Sequence, residues 1–267
     1  MATKPHPAAV ARKCTGKLNK LLKRLRPASS VGCIHDFRVQ FKKTRALYRM
    51  VKAASKGSKP RLPKSWQKFY RHTGRLRDVT LLVQLVDGKF GPGALSEFFQ
   101  LQESALEITL QKELKKMKPI RFKGKDWHEL DPALIAVYFG SLLQPLDQSY
   151  HHAVTDKQLH QIRKNLKDLL YNMAWLKEMG IAIPAIAQRI EIADIEDLLE
   201  QLGQYQNTVV QSMVLRHLPP IPALHAVPEM IHAYLHELAH RQSLMRLGIQ
   251  RSLEHFFHLH TSGTLHE

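Results

Sequence analysis

The sequence predicts an all-α protein made of two four-helix bundle halves, and three observations support this fold class. Apolar residues recur with a helical period from about residue 8 onward, whereas strand-like alternation is nearly absent. Breakers divide the chain into eight helical segments, most of them about 20 residues or longer. Motifs of the second segment recur in the sixth at an offset of 125 residues, which indicates an internal repeat.

The breakers set the order of the elements. Clusters of Pro, Gly and Ser end or separate the predicted helices at residues 27–30, 56–60, 87–93, 118–119, 180–184 and 219–228. The fifth helix begins near Asp131-Pro132, since proline is favoured in a first helical turn. Long helices with short connections pack antiparallel in bundles. We therefore expect one domain over 1–267, with halves of about 1–119 and 130–260 joined by a basic linker at 118–130.

The charge balance restricts the class of ligand. Forty Lys and Arg residues against 23 Asp and Glu residues give a formal net charge of +17. This positive field attracts polyanions, so nucleic acid, polyphosphate, nucleotides and anionic membranes are the first candidates. The two cysteines make no disulfide framework, and no signal peptide or run of about 18 apolar residues is found. We therefore expect a cytoplasmic protein with no membrane-spanning helix and no membrane partner.

The second predicted helix carries a narrow cationic ridge. Its side chains follow a spacing of 0, 3, 7, 10 and 14 and fall within an arc of about 80°. They are His35, Arg38, Lys42, Arg45 and Arg49, with Lys43 at the flank. Like charges at helical spacing repel one another, so the ridge needs either wide solvation or a bound anion. Arg and Lys both suit phosphate oxygens, and His adds a donor that titrates.

The same stripe returns on the sixth predicted helix. Its members are His160, Arg163, Lys164, Lys167 and Tyr171. Asp168 stands where the second helix has Lys43, so this stripe is the weaker one. If the halves pack with approximate two-fold symmetry, the stripes face each other across a groove that is more basic on the first-half side.

Further basic residues lie on the third and first helices. Arg75 and Arg77 extend the cationic surface, and Asp78 is expected to orient a neighbouring Arg by a charge-assisted hydrogen bond. On the first helix, Lys13, Lys17 and Lys20 either extend the groove or coat the outer surface.

Three of these motifs together resemble a known family. The sequence has His-x-x-Arg-x-x-x-Lys-Lys-x-Arg at 35–45, Gly-Arg-Leu-Arg-Asp at 74–78 and His-x-x-Arg-x-x-x-Lys-x-x-x-Tyr at 160–171. In order and spacing they resemble the conserved-histidine helical domain, CHAD. The resemblance implies two four-helix halves related by a pseudo-two-fold axis around a basic central channel. It also implies binding of inorganic polyphosphate and residence at polyphosphate granules.

We therefore expect a non-catalytic polyphosphate-binding protein that uses the two stripes with Arg75 and Arg77. Protonation of His35 and His160 should strengthen binding below about pH 6.5. The alternative is a nucleic-acid-binding protein that uses the same basic surface. That alternative calls for aromatic residues among the basic ones, and few interleave with the stripes.

One motif points to a different class of protein. His236-Glu237-Leu238-Ala239-His240 fits the His-Glu-x-x-His pattern of zinc metalloproteases, in which the glutamate is the general base. No third ligand follows at a metzincin spacing, and a chain with 16 His residues gives chance matches. Adventitious zinc or nickel binding by the last helix is the favoured interpretation. We expect no resident metal, no cofactor and no catalytic residue.

Overall fold

The computed structural model describes residues 6–26, 30–57, 60–124, 127–150, 154–219 and 227–261. Within these ranges the chain is helical and contains no strand, which confirms the predicted all-α class. The helices are α1 (Pro7–Leu25), α2 (Val31–Ala54), α3 (Lys64–Phe90), α4 (Ala94–Lys116), α5 (Pro132–Tyr150), α6 (Asp156–Met179), α7 (Ala185–Gln188), α8 (Ile192–Arg216) and α9 (Val227–Thr261). None of the helices within these ranges has the length and apolar character that a membrane crossing requires.

The structure narrows one predicted boundary and adds one short element. Within the predicted breaker at 87–93, α3 continues through Asp87-Gly88 to Phe90 and ends at Gly91, whose φ is 75°. Only glycine adopts that backbone conformation without strain. The single turn α7 follows Pro184 and was not predicted, since four residues are too few to show a helical period. The predicted breakers and linker residues at 27–29, 58–59, 125–126 and 220–226 lie outside the described residues.

The two helices with the predicted stripes have well-formed ends. The Ser30 side chain accepts a hydrogen bond from Cys33 N at the start of α2. Thr155 and Gln158 form a reciprocal capping box at the start of α6. Gly180 ends α6 in the left-handed conformation that favours glycine. These caps fix where each stripe begins along its helix.

Helix packing follows the same order in both halves. In the first half α1 packs on α2, α2 on α3 and α3 on α4, and in the second half α5 packs on α6, α6 on α8 and α8 on α9. Helix α2 also contacts α5 and α6, so it joins the halves. One buried apolar cluster includes residues of both halves, from Val10 to Phe256.

Helix α2, which carries the cationic ridge, packs against α3 through an aromatic face. Phe37 packs against Phe41, Trp66 and Phe69 with ring centroids 5.1–6.0 Å apart. On the α6 side, Trp175 Nε1 donates to the carbonyl of Lys43 at 3.2 Å. With these faces buried, the cationic face of α2 is left to border the space between the halves.

Candidate functional site

The stripes of α2 and α6 line a single cavity of about 650 Å³, which is closed by residues of α3, α5 and α8. We call it the cationic cavity. Its charged lining consists of eight cations and two carboxylates, namely Arg38, Lys42, Arg45, Arg49, Arg77, Arg163, Lys164, Lys167, Asp78 and Asp168. The first half supplies five of the cations and the second half three, which is the asymmetry that the sequence predicts. With all of these groups ionised the lining carries a net charge of +6.

Arg38 is fixed against α3. Its Nη1 donates to the carbonyl of Tyr70 at 3.0 Å and to Thr73 Oγ1 at 3.4 Å. Its guanidinium carbon lies 4.7 Å from the centroid of the Tyr70 ring, and that of Arg45 lies 5.4 Å from the same ring. The Phe41 ring is also stacked on Tyr70, with ring centroids 4.5 Å apart. Tyr70 thus holds two guanidinium groups side by side at the cavity wall.

Five other cavity cations, the free cations, lack such partners. Within the described part of the chain they form neither a hydrogen bond nor an ion pair, and they are Lys42, Arg77, Arg163, Lys164 and Lys167. Desolvation, reinforced by neighbouring cations, lowers the pKa of Lys42 to about 7 and that of Lys167 to about 8. Cations this close disfavour one another, so the ligand-free cavity is electrostatically unfavourable.

Arg49 has a partner from the other half. Its Nη2 donates to Asp168 Oδ1 in an ion pair that joins α2 to α6. Asp168 is buried, with 8% of its surface exposed. Burial raises the pKa of this carboxyl group, and the charge of Arg49 opposes that effect.

The two predicted histidines differ in position. His160 lines the cavity, and its Nδ1 lies 2.8 Å from Gln206 Oε1 of α8. Desolvation lowers the pKa of His160 from its ordinary value, despite the opposing hydrogen bond to Gln206. His35 is exposed in the first turns of α2 and is not part of the cavity lining. The structure therefore brings only one of the two histidines to the site.

Several other predicted site residues also lie away from the cavity lining. Arg75 is exposed on α3, and Lys43 is half-buried with its Nζ 5.7 Å from the centroid of the Tyr171 ring, so Lys43 reaches the cavity wall only through Tyr171. Lys13, Lys17 and Lys20 are exposed on α1. Lys13 Nζ forms an ion pair with Glu178 at 2.5 Å. The α1 lysines are thus on the outer surface rather than in the cavity.

Asp78 lines the cavity, but the charge-assisted bond that we expected from it is not seen. Within the described ranges its carboxylate has no hydrogen bond and no ion pair within 4 Å. The charges of Arg38 and Arg77 act on it from a greater distance. Arg38 is oriented by Tyr70 and Thr73 instead.

Sequence reasoning missed two aromatic members of the site. Tyr70 lies one helical turn before Gly74, so its position on the cavity face of α3 was readable from that spacing. Tyr138 lines the cavity from α5, a largely apolar helix with no polar stripe to mark one residue. The polar side chains of Gln206 and Asn207 of α8 also line the cavity. In the internal repeat these two residues stand where α3 has Arg77 and Asp78.

The zinc-protease motif lies on α9, outside the lining of the cationic cavity. His236, Glu237 and His240 are exposed on α9, and Lys89 Nζ lies 3.4 Å from Glu237 Oε1. Among the described residues, no cluster of three potential metal ligands is formed. The side chains of His258 and His260 lie outside the described part of the structure.

Comparison with family models identifies the family of this chain. The family model described as CHAD domain matches residues 9–216. Among solved structures, the chain resembles the CHAD domain from the plant Ricinus communis with a TM-score of 0.63 and 13% identity. That alignment covers 95% of this chain and 93% of the plant chain, and at this identity the likeness concerns the fold. No curated protein matches the sequence. The chain belongs to the CHAD domain family.

Proposed function

We propose that this protein binds inorganic polyphosphate in the cationic cavity and does not alter it chemically. The observation that carries the proposal is the set of five free cations in a cavity whose two carboxylates leave a net charge of +6. Four of the five are half-buried, and Lys164 is exposed. Unpaired charges are costly to desolvate, and a bound polyanion offsets that cost. Each internal unit of polyphosphate brings a single negative charge and oxygens that accept from Arg and Lys.

The cavity favours an anion without bases over a nucleic acid. Its volume of about 650 Å³ is that of a small-ligand site, and a duplex is too wide to enter it. A single strand would need free aromatic faces for its bases. Of the three tyrosines in the lining, two already have a cation at the ring. Tyr70 is packed against Phe41, Arg38 and Arg45, and the Tyr171 ring centroid lies 5.7 Å from Lys43 Nζ. On this proposal the protein acts in the cytoplasm, at polyphosphate granules where these are present.

The test is calorimetric titration with long-chain polyphosphate near physiological salt. A Lys42→Met/Lys167→Met variant removes two free cations, and we expect an affinity at least about 100-fold lower, since each charged contact contributes about 1.5–3 kcal/mol. The matched control, Lys17→Met/Lys20→Met, removes the same charge from the outer face of α1 and should change the affinity less than about threefold. Equal losses in both variants would refute the cavity as the site. If a gel shows that the polyphosphate becomes shorter during incubation, the proposal that the protein does not alter it chemically is wrong.

A further inference from the structure

The charges of the cationic cavity form two groups. Lys42 is influenced by Lys167, Arg38, Arg163 and Arg77, all of them cations. The Asp78 carboxylate, which forms no ion pair within the described residues, is influenced by three of the same cations. We call these residues the open end of the cavity. A second group consists of Arg45, Arg49 and Asp168, whose charges act on one another. We call it the closed end, because Arg49 is already bound to the Asp168 carboxylate.

Asp168 supplies the negative charge that pairs with Arg49 at the closed end. Its oxygen accepts from Arg49 Nη2, and the charges of Arg45 and Lys164 also act on it. The side chain is buried in the cavity wall, so water screens it poorly. A phosphate that approached Arg49 would have to displace this carboxylate and would be repelled by it.

Resting on the proposed function, we infer that Asp168 is a specificity-determining residue that acts as an internal counter-anion and limits how far a polyphosphate chain is bound. A short chain is bound by the open end, where no carboxylate forms an ion pair within the described residues. A longer chain reaches Arg45 and Arg49 but gains less there, since Asp168 already balances one of their two charges. Affinity therefore levels off once a chain fills the open end.

A purely structural role for the Arg49–Asp168 pair makes a different prediction. Breaking a partly buried ion pair destabilises a protein, but it changes the binding of short and long chains alike. Asp168→Asn keeps an oxygen that accepts from Arg49 and removes only the charge, so the fold is retained. Length dependence of the effect therefore separates the two roles.

The experiment measures Kd for tripolyphosphate and for chains of about 14 units on wild type and Asp168→Asn, with thermal melts to confirm folding. We expect the ratio of the two Kd values to shift about tenfold in favour of the longer chain in the variant, equivalent to about 1.4 kcal/mol. An Arg49→Met/Asp168→Asn double variant removes the freed cation and should lose most of that shift.

An unchanged ratio in Asp168→Asn, or the same shift in the double variant, would overturn the inference while leaving polyphosphate binding intact. Absence of binding at every chain length, in wild type and in the variants, would overturn the proposed function and this inference with it.

Discussion

The guanidinium of Arg38 lies directly over Gly74 of the neighbouring helix. A β-carbon on Gly74 would stand 2.6 Å from Arg38 Nη1, closer than such atoms approach in folded proteins. The same Nη1 donates to the carbonyl of Tyr70 at 3.0 Å. The missing side chain at position 74 is therefore what allows Arg38 to reach that carbonyl and border the cavity.

A Gly74→Ala substitution should displace Arg38. Alanine in place of a helical glycine would by itself stabilise the helix by about 1 kcal/mol. The atoms that a β-carbon would meet are the end of the flexible Arg38 side chain, so Arg38 can move at little cost to the fold. We expect the free energy of unfolding to change by less than about 1 kcal/mol and polyphosphate affinity to fall about tenfold. Denaturant unfolding and calorimetric titration measure the two effects.

Gly203 offers the matched control. It faces Arg163 as Gly74 faces Arg38, but a β-carbon there would stand 3.5 Å from Arg163 Nη2, an ordinary contact. Gly203→Ala should therefore leave affinity within about twofold and stability unchanged or higher by up to about 1 kcal/mol. If the two substitutions change polyphosphate affinity to the same extent, the close approach of Arg38 to Gly74 does not contribute to binding.

Stability and binding should respond in opposite directions at Lys42. Its pKa of about 7 means that the ligand-free fold disfavours the charged form relative to the unfolded chain, where the value is near 10.5. We expect Lys42→Met to raise the free energy of unfolding by about 2–4 kcal/mol at pH 7 and to weaken polyphosphate binding at least about tenfold. A variant that is less stable than wild type would contradict the picture of a desolvated, unpaired cation.

Polyphosphate affinity should fall as pH rises from about 7 to 9. A bound anion favours the protonated forms of Lys42 and Lys167, whose pKa values without ligand are about 7 and 8, so binding takes up protons in this range. The decrease should be at most about tenfold per pH unit for each lysine. Titrations in buffers of different ionisation enthalpy measure the proton uptake directly.

The stability of the ligand-free protein should show the opposite pH trend. Between about pH 7 and 10.5 the unfolded chain binds more protons at these lysines than the folded protein does, so stability rises with pH. In Lys42→Met both slopes should be smaller. If polyphosphate affinity instead changes only below pH 6.5, the histidines rather than the lysines control the pH dependence, as the sequence predicts.

The salt dependence of polyphosphate affinity should report how many cations contact phosphate. A plot of the logarithm of affinity against the logarithm of salt concentration should become less steep by about 1 for each free cation removed. Arg163→Met should show this change, whereas Lys17→Met, on the exposed face of α1, should leave the slope within about 0.3 of wild type. Similar changes in both would mean that binding is a property of the whole surface charge.

The helices and the cationic stripes were predictable because both depend on local spacing. Charges at helical intervals on α2 and α6 mark one face of each helix, and that face does line the cavity at Arg38, Lys42 and Lys167. The spacing does not show which part of a stripe borders the cavity and which part extends beyond it. His35 follows the same period as Arg38, yet it is exposed near the start of α2 and outside the lining.

Relations between distant segments were not predictable. The Arg49–Asp168 pair joins residues 119 positions apart, and only the packing of α2 on α6 brings them together. Tyr138 comes from an apolar helix and carries no pattern that separates it from core residues. The pseudo-two-fold relation of the halves stays a prediction, although Arg38 on Gly74 and Arg163 on Gly203 repeat one local arrangement.

The most direct test of the account is a competition between polyanions. Fluorescently labelled polyphosphate is bound to the protein near physiological salt, and single- and double-stranded DNA are added at equal phosphate concentration, with wild type and Lys42→Met/Lys167→Met compared. We predict that neither DNA displaces polyphosphate from wild type and that the variant retains little polyphosphate. Displacement by DNA at equal phosphate, or a variant that binds like wild type, would contradict the claim that the cationic cavity is a polyphosphate site.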